Sequence, residues 1–307
     1  MAHYIMSRRE FLRDTLYGSL GLAVASSGIG LLSGCDVNSG CDVKREEKPL
    51  YQGKIKQLAA AVLASTSNTD VDLRQYREIK YARKDLDDLT VAMIAASDDT
   101  DTTLRQFDEL QTQYPTMDKM VSALIAASSD TDTTLRQYHE IKRDYRQISD
   151  FNAAMIAFSD DTKTTSRQYD ELRRNNPEMS EDVALMIAFS DDTKTTSRQY
   201  DELRQRTDLN DLEKALIAFS GDTRTTERQQ RELRQRDGSL DNITSTLLAF
   251  SDNTDVDFKQ YKDIESRFGL IPNGGVGVAM DYSAAQASTA SMSILPFVVL
   301  AYILFFL

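Results

Sequence analysis

The chain has 307 residues, 41% of them hydrophobic, with 48 acidic against 36 basic side chains, enough apolar material for a sizeable core. A formal charge of −12 excludes nucleic acid as the expected partner, since neutralising phosphates takes an excess of Lys and Arg. With two His, no Trp and only Cys35 and Cys41 as thiols, no disulfide framework or Cys/His zinc site spans the chain.

The chain opens MAHYIMSRREFLRDTLYGSLGLAVASSGIGLLSGC. Arg8, Arg9 and Arg13 give a basic start, and a Gly- and Ala-rich apolar run follows to Leu32, the layout of a cleaved targeting segment. Ser7-Arg8-Arg9-Glu10-Phe11-Leu12-Arg13 resembles the twin-arginine export motif through Arg8, Arg9, Phe11 and Leu12, with Arg13 where Lys is usual. Leu32-Ser33-Gly34-Cys35 resembles a lipobox, in which cleavage precedes Cys35 and its sulfur carries a diacylglycerol. In this order the two motifs are similar to the leader of a bacterial or archaeal twin-arginine-exported lipoprotein, a resemblance confined to the signal region. It implies a signal peptide at 1–34, a lipid-anchored tether at 35–49, and a mature chain held to a membrane outside the cytoplasm. Asp36 after the lipidated position implies the outer face of the inner membrane if the cell is Gram-negative. A second SGCDV copy follows, but Asn38 takes the lipobox Leu position, so Cys41 is expected to remain a free thiol.

From about residue 50 to 268 one unit recurs. MIAFSDDTKTTSRQYDELR stands at Met155–Arg173 and again, letter for letter, at Met186–Arg204. The anchor positions Thr66, Ser97, Ser128, Ser159, Ser190, Ser220 and Ser251 are spaced 31, 31, 31, 31, 30 and 31 residues apart. Each unit predicts two helices. The first ends at the anchor, as in Ser180–Ser190 and Asp211–Ser220, with apolar residues at three- and four-residue steps. Ser149, Ser180 and Ser239 are the expected N-caps, and Asn210-Asp211-Leu212-Glu213 has capping-box form. Pro115 and Pro177 close off the helices before them.

The second helix is expected to open at the Asp-Asp-Thr stretch. Its aromatic column is Tyr76, Phe107, Tyr138, Tyr169, Tyr200 and Tyr261, with Gln230 the exception. Its aliphatic column is Ile79, Leu110, Ile141, Leu172, Leu203, Leu233 and Ile264, three residues on and so on the same face. A lone hairpin of this size cannot bury that face, but stacked neighbours can. The expected fold is all-α, an α-solenoid of seven ~31-residue helix-turn-helix repeats. With axes about 8–10 Å apart it would extend on the order of 60–70 Å. The layout is similar to the tetratricopeptide class, but the period falls about three residues short of the usual ~34 and the Trp-Leu-Gly and Pro signature is absent.

Two charged patterns recur. SDDTDTT at Ser97–Thr103 has the oxygen ligands of a calcium loop, yet it opens a helix whose dipole repels cations. Lys163, Lys194 and Arg224 replace its last acid in later units, so capping is the expected role and no metal is expected. Arg74, Arg105, Arg136, Arg167, Arg198, Arg228 and Lys259 form a basic column with an acid four residues on. It reads either as an intrahelical ion pair in each unit or as a ladder gripping an extended partner. His139 falls in a column that varies between units, which predicts a surface position. No nucleophile elbow, P-loop or H-E-x-x-H occurs, and near-equivalent units suit catalysis poorly. No catalytic residue and no cofactor is expected.

Gly274, Gly275 and Gly277 then mark a flexible stretch, expected over 269–293, before an apolar tail at 294–307 expected to sit in a membrane. Ser283-Ala284-Ala285, a polar spacer and that tail are also similar to a glycosylphosphatidylinositol signal, which would imply a eukaryotic surface protein. The expected function is a membrane-anchored extracytoplasmic scaffold that binds a protein or envelope polymer without catalysis. The alternative is a mechanical spacer or surface-display protein.

Overall fold

A computed structural model describes residues 49–273, apart from residues 160, 191, 221 and 252. The export motif Arg8, Arg9, Phe11 and Leu12, the lipidation site Cys35, the glycine-rich stretch after 273 and the apolar tail lie outside the described residues. Among those described, the chain is helical, with strand only at β1 (Ile55–Lys56) and β2 (Leu270–Ile271). The helices are α1 (Gln57–Ala64), α2 (Thr69–Ala82), α3 (Asp88–Ala95), α4 (Thr100–Gln113), α5 (Lys119–Ala126), α6 (Thr131–Asp144) and α7 (Asp150–Phe158). They continue as α8 (Thr162–Asn175), α9 (Glu181–Ala188), α10 (Thr193–Leu203), α11 (Asp211–Phe219), α12 (Thr223–Arg236), α13 (Asn242–Phe250) and α14 (Thr254–Phe268).

Two kinds of helix alternate. The odd-numbered ones are short and apolar around most of their circumference, so they are interior helices; every residue of α1 and α3 is buried. Two residues before each anchor stands Ala64, Ala95, Ala126, Ala157, Ala188, Ala218 or Ala249, all at most 2% exposed, and small side chains there let neighbouring backbones approach. The even-numbered helices are longer and bury one stripe. The aromatic and aliphatic columns read from the sequence are that stripe, and Gln230, the exception, is buried with its amide donating to Ser245 Oγ at 3.3 Å.

Hydroxyls and carboxylates end and begin these helices. Each anchor hydroxyl donates to the carbonyl three residues back, from Thr66 Oγ1 to Leu63 O at 2.8 Å through Ser251 Oγ to Leu248 O at 3.0 Å, closing an odd-numbered helix whose last carbonyls lack partners. Ser149 and Ser180 cap α7 and α9, and Asn210 and Glu213 form the capping box of α11. Ser239 does not cap α13. Its hydroxyl and amide both donate to Asp237 Oδ1, and Asp241, two residues later, accepts from Thr244 N at 2.7 Å.

The helices stack as a repeat array, but not as the open array of ~60–70 Å expected above. Odd-numbered helices touch in the order α1, α3, α5, α7, α9, α11, α13, and α13 then packs against α1. Each even-numbered helix packs mainly on the odd-numbered helix that follows it, and α14 packs on α1 in the same way. The array therefore closes on itself.

At the seam Ile55 pairs with Leu270 and Lys56 with Ile271 in a parallel ladder. Gly269, at φ 67°, turns the chain out of α14 into β2, a conformation that favours glycine. Every later odd-numbered helix takes its N-cap from the loop before it, whereas α1 starts at Lys56 without a side-chain cap. Asn273 supplies the missing acceptor, taking the Leu58 amide on Oδ1 at 2.9 Å while its Nδ2 donates to Asp241 Oδ2 at 2.7 Å. Residues 270–273, expected to belong to a flexible linker, are thus the part of the chain that completes the fold.

Candidate interaction surface

The even-numbered helices carry the exposed charge. In the five even-numbered helices from α4 to α12 the acid just before the opening Thr is the N-cap. Asp99, Asp130, Asp161, Asp192 and Asp222 each accept a backbone amide three residues on at 3.1 Å. Amide and hydroxyl bonds from that threonine hold Asp99, Asp130, Asp192 and Asp222 below the ordinary carboxylate range. Among the described residues no group of three or more His, Cys, Asp or Glu is placed to hold a metal ion.

Arg74, Arg105, Arg136, Arg167, Arg198, Arg228 and Lys259 are all exposed. The intrahelical pair to the acid four residues on forms at Arg74–Glu78, 3.1 Å, and Arg228–Glu232, 3.7 Å. Among the described residues the other five members of the column make no such contact within 4.0 Å, so the pair is not a feature of every unit. Asp263, the acid matched to Lys259, bonds Arg267 instead at 3.1 Å.

At four junctions neighbouring even-numbered helices are joined by contacts whose chemistry differs from one to the next. The residue seventeen after one anchor meets the residue eleven after the next. Arg83 pairs with Asp108, Tyr114 lies 5.3 Å from His139 between ring centres, and Asp237 accepts from Lys262 at 3.1 Å. Across the seam, the Arg77 guanidinium sits 4.8 Å from the Phe268 ring centre. His139 is exposed and holds this lateral contact. A second set of contacts comes from the last helical turn. Arg236 reaches Asp255 at 2.7 Å and lies 4.7 Å over the Phe258 ring, and Arg267 reaches Asp70 at 3.4 Å.

Among the described residues, grooves open along these helices. One, about 610 Å³, runs along α4 past Asp101, Leu104, Asp108 and Glu109. A second of about 530 Å³ runs along α6 past Asp132, Leu135 and His139. A third of about 550 Å³ lies between α10 and α12, where α10 ends after 11 residues instead of 14. Comparison with known protein families, curated proteins and solved structures gives no match.

Two acids, Asp182 half-buried and Glu213 buried, sit apart from these grooves. Asp182 accepts from Asn152 Nδ2 at 3.1 Å, and burial pushes its carboxyl up to about 6. Glu213, 3% exposed, is pushed up to about 7 by burial, against the pull of the Asn210 amide and the Asn242 side chain. Both sit at the starts of interior helices, and Glu213 has a capping role that accounts for its place. The capping box was legible in the sequence; the burial that shifts the acid was not, because it depends on α13 lying over α11.

Proposed function

We propose that this protein is a seven-unit repeat scaffold, exported by the twin-arginine route and held outside the cytoplasm by a diacylated Cys35, with the apolar tail as a second anchor. On this reading it binds a protein or envelope polymer on the surface of its even-numbered helices and catalyses nothing. The observation that carries a scaffold over a spacer is the pairing of Ile55 with Leu270. Paired strands lie about 4.8 Å apart, so the chain enters and leaves the fold at one place. Seven units then add girth and surface between the two tethers and almost no length, which favours a display surface over a spacer. The exposed column from Arg74 to Lys259 runs around that surface with most of its charge uncommitted.

The test is mass spectrometry of the membrane-extracted chain, paired with in-cell cross-linking. A mature chain beginning at diacylated Cys35 is expected; an unmodified start with a glycolipid near Ser283 would overturn the export route. Replacing the column from Arg74 to Lys259 by Gln should remove a cross-linked partner. Unchanged cross-linking would move the binding surface elsewhere, and no cross-link from any outer position would sink the scaffold itself.

A further inference from the structure

The partner-binding groove and the chemistry it takes follow from a comparison of the protein's own junctions; this rests on the scaffold reading above. Four units that adjoin one another once the array closes carry an acid four residues after the anchor and an apolar residue seven after it. These are Asp255 with Phe258, Asp70 with Leu73, Asp101 with Leu104, and Asp132 with Leu135. In the other three units the same places hold Lys163 with Ser166, Lys194 with Ser197, and Arg224 with Glu227. The acid and apolar residue together make a notch toward the preceding even-numbered helix.

At two junctions the notch is filled from within. Arg236, at the end of α12, bonds Asp255 and lies over Phe258, and Arg267, at the end of α14, bonds Asp70. Phe258 and Leu73 are 9% and 2% exposed there. The equivalent position at the end of α2 is Ala82, whose methyl cannot reach α4. Leu104 accordingly stays only half-buried, and a groove of about 610 Å³ opens beside it. At the next junction the position is Gln113, but Arg136 and Arg143 line the α6 groove and offset Asp132 and Glu140. Along α4 Arg83 pairs with Asp108, and Arg105 alone faces Asp101 and Glu109, which leaves one acid in excess.

We propose that the α4 groove is the docking point for an arginine side chain of a partner protein, seated against Asp101 and Leu104 as Arg236 is seated against Asp255 and Phe258. An arginine brings both parts of the match, a planar cation for the carboxylate and a face for the apolar floor, and arginines in pockets dominate many interfaces. A second copy of this chain is the weaker occupant. Its basic units lie away from its acidic ones, so such a contact would be heterologous and would grow into open strings of molecules.

The experiment uses the full-length chain in detergent, with leucine methyl groups labelled for NMR, titrated with acetyl-Gly-Arg-Gly-amide into the millimolar range. The Leu104 methyls should shift saturably, more than those of Leu135, and the citrulline peptide should leave them unmoved. Ala82→Arg should abolish the response by seating its own guanidinium, and Asp101→Asn should weaken it at least tenfold. An equal response to citrulline, or full binding in both variants, overturns the proposal. In cells, a photo-cross-linker at Thr112 in the groove should trap another protein from wild type and not from Ala82→Arg. A product of two copies of this chain would overturn it in favour of self-association. Cross-links that form only from Arg198 on α10 would overturn the groove while leaving the scaffold intact.

Discussion

Glu213 is the residue on which pH should act most. Its ordinary pKa is 4.5 and burial raises it to about 7, so between those values the folded chain holds a proton that the unfolded chain has released. The stability of the neutral carboxyl is therefore complete below about pH 4.5 and is lost as pH rises through 7, a loss of about 3 kcal/mol if unrelieved. Asp182, raised from 3.8 to about 6, acts in the same direction over a lower window. The lowered capping acids work oppositely, contributing above their ordinary pKa and losing that contribution as pH falls through the lowered one. The thermal midpoint should thus peak near pH 4–5 and fall toward pH 8. Glu213→Gln keeps an acceptor for the Asn210 amide and removes the ionisation. It should raise the midpoint at pH 8 by several degrees, at roughly 2–4 °C per kcal/mol for a fold of this size, and change little at pH 4.5. A wild-type midpoint that climbs from pH 5 to 7 would show that this carboxyl is charged and solvated.

The helices themselves were legible because each rests on local chemistry, namely three- and four-residue apolar steps, serine caps and an Asp-Asp-Thr start. What misled was choice among neighbours within one loop. Ser239 has the form of a cap, but Asp237 captures its hydroxyl and amide and leaves the start of α13 to Asp241. Asp241→Ala should therefore cost about 1–2 kcal/mol in urea unfolding, the upper range of lost caps, since the Asn273 amide loses its acceptor too. Ser239→Ala should stay within ~0.5 kcal/mol, as surface changes do. Equal losses would return the cap to Ser239. The lateral contacts between even-numbered helices were less legible still. The column that holds Arg77, Asp108, His139 and Lys262 looks merely variable in the sequence. Each of these four is fitted to the residue it meets on the preceding helix, and that partner emerges only when the helices are laid side by side. The α4 groove was missed for the same reason, since Ala82 is informative only beside Arg236 and Arg267.

Closure was the largest feature the sequence did not reveal, because its contacts join Leu58 to Asn273 and Ile55 to Leu270, outside the repeated register. Asn273→Ala removes the acceptor for α1 and the link to Asp241 in one change. It should cost about 1–2 kcal/mol and speed hydrogen exchange in α1 and α14 while α7 stays protected. Uniform acceleration would mean that the seam has no separate stability. The stronger test moves the ends. In a closed array the seam is one junction among equals, so a chain beginning at Gln147 and ending at Arg146, both exposed in the loop between α6 and α7, should still close. The old ends would be joined from Asn273 to Leu50 by about ten Gly and Ser residues, which reach at most ~35 Å. That span is ample between paired strands. Across an open array of ~60–70 Å it would be too short, and α1 would have to detach from its neighbours. The permuted chain should match the wild-type fold unit in helical circular dichroism and melt within a few degrees of it in one transition. A lower midpoint with a separate early transition would mean that the two ends of the array do not meet in solution.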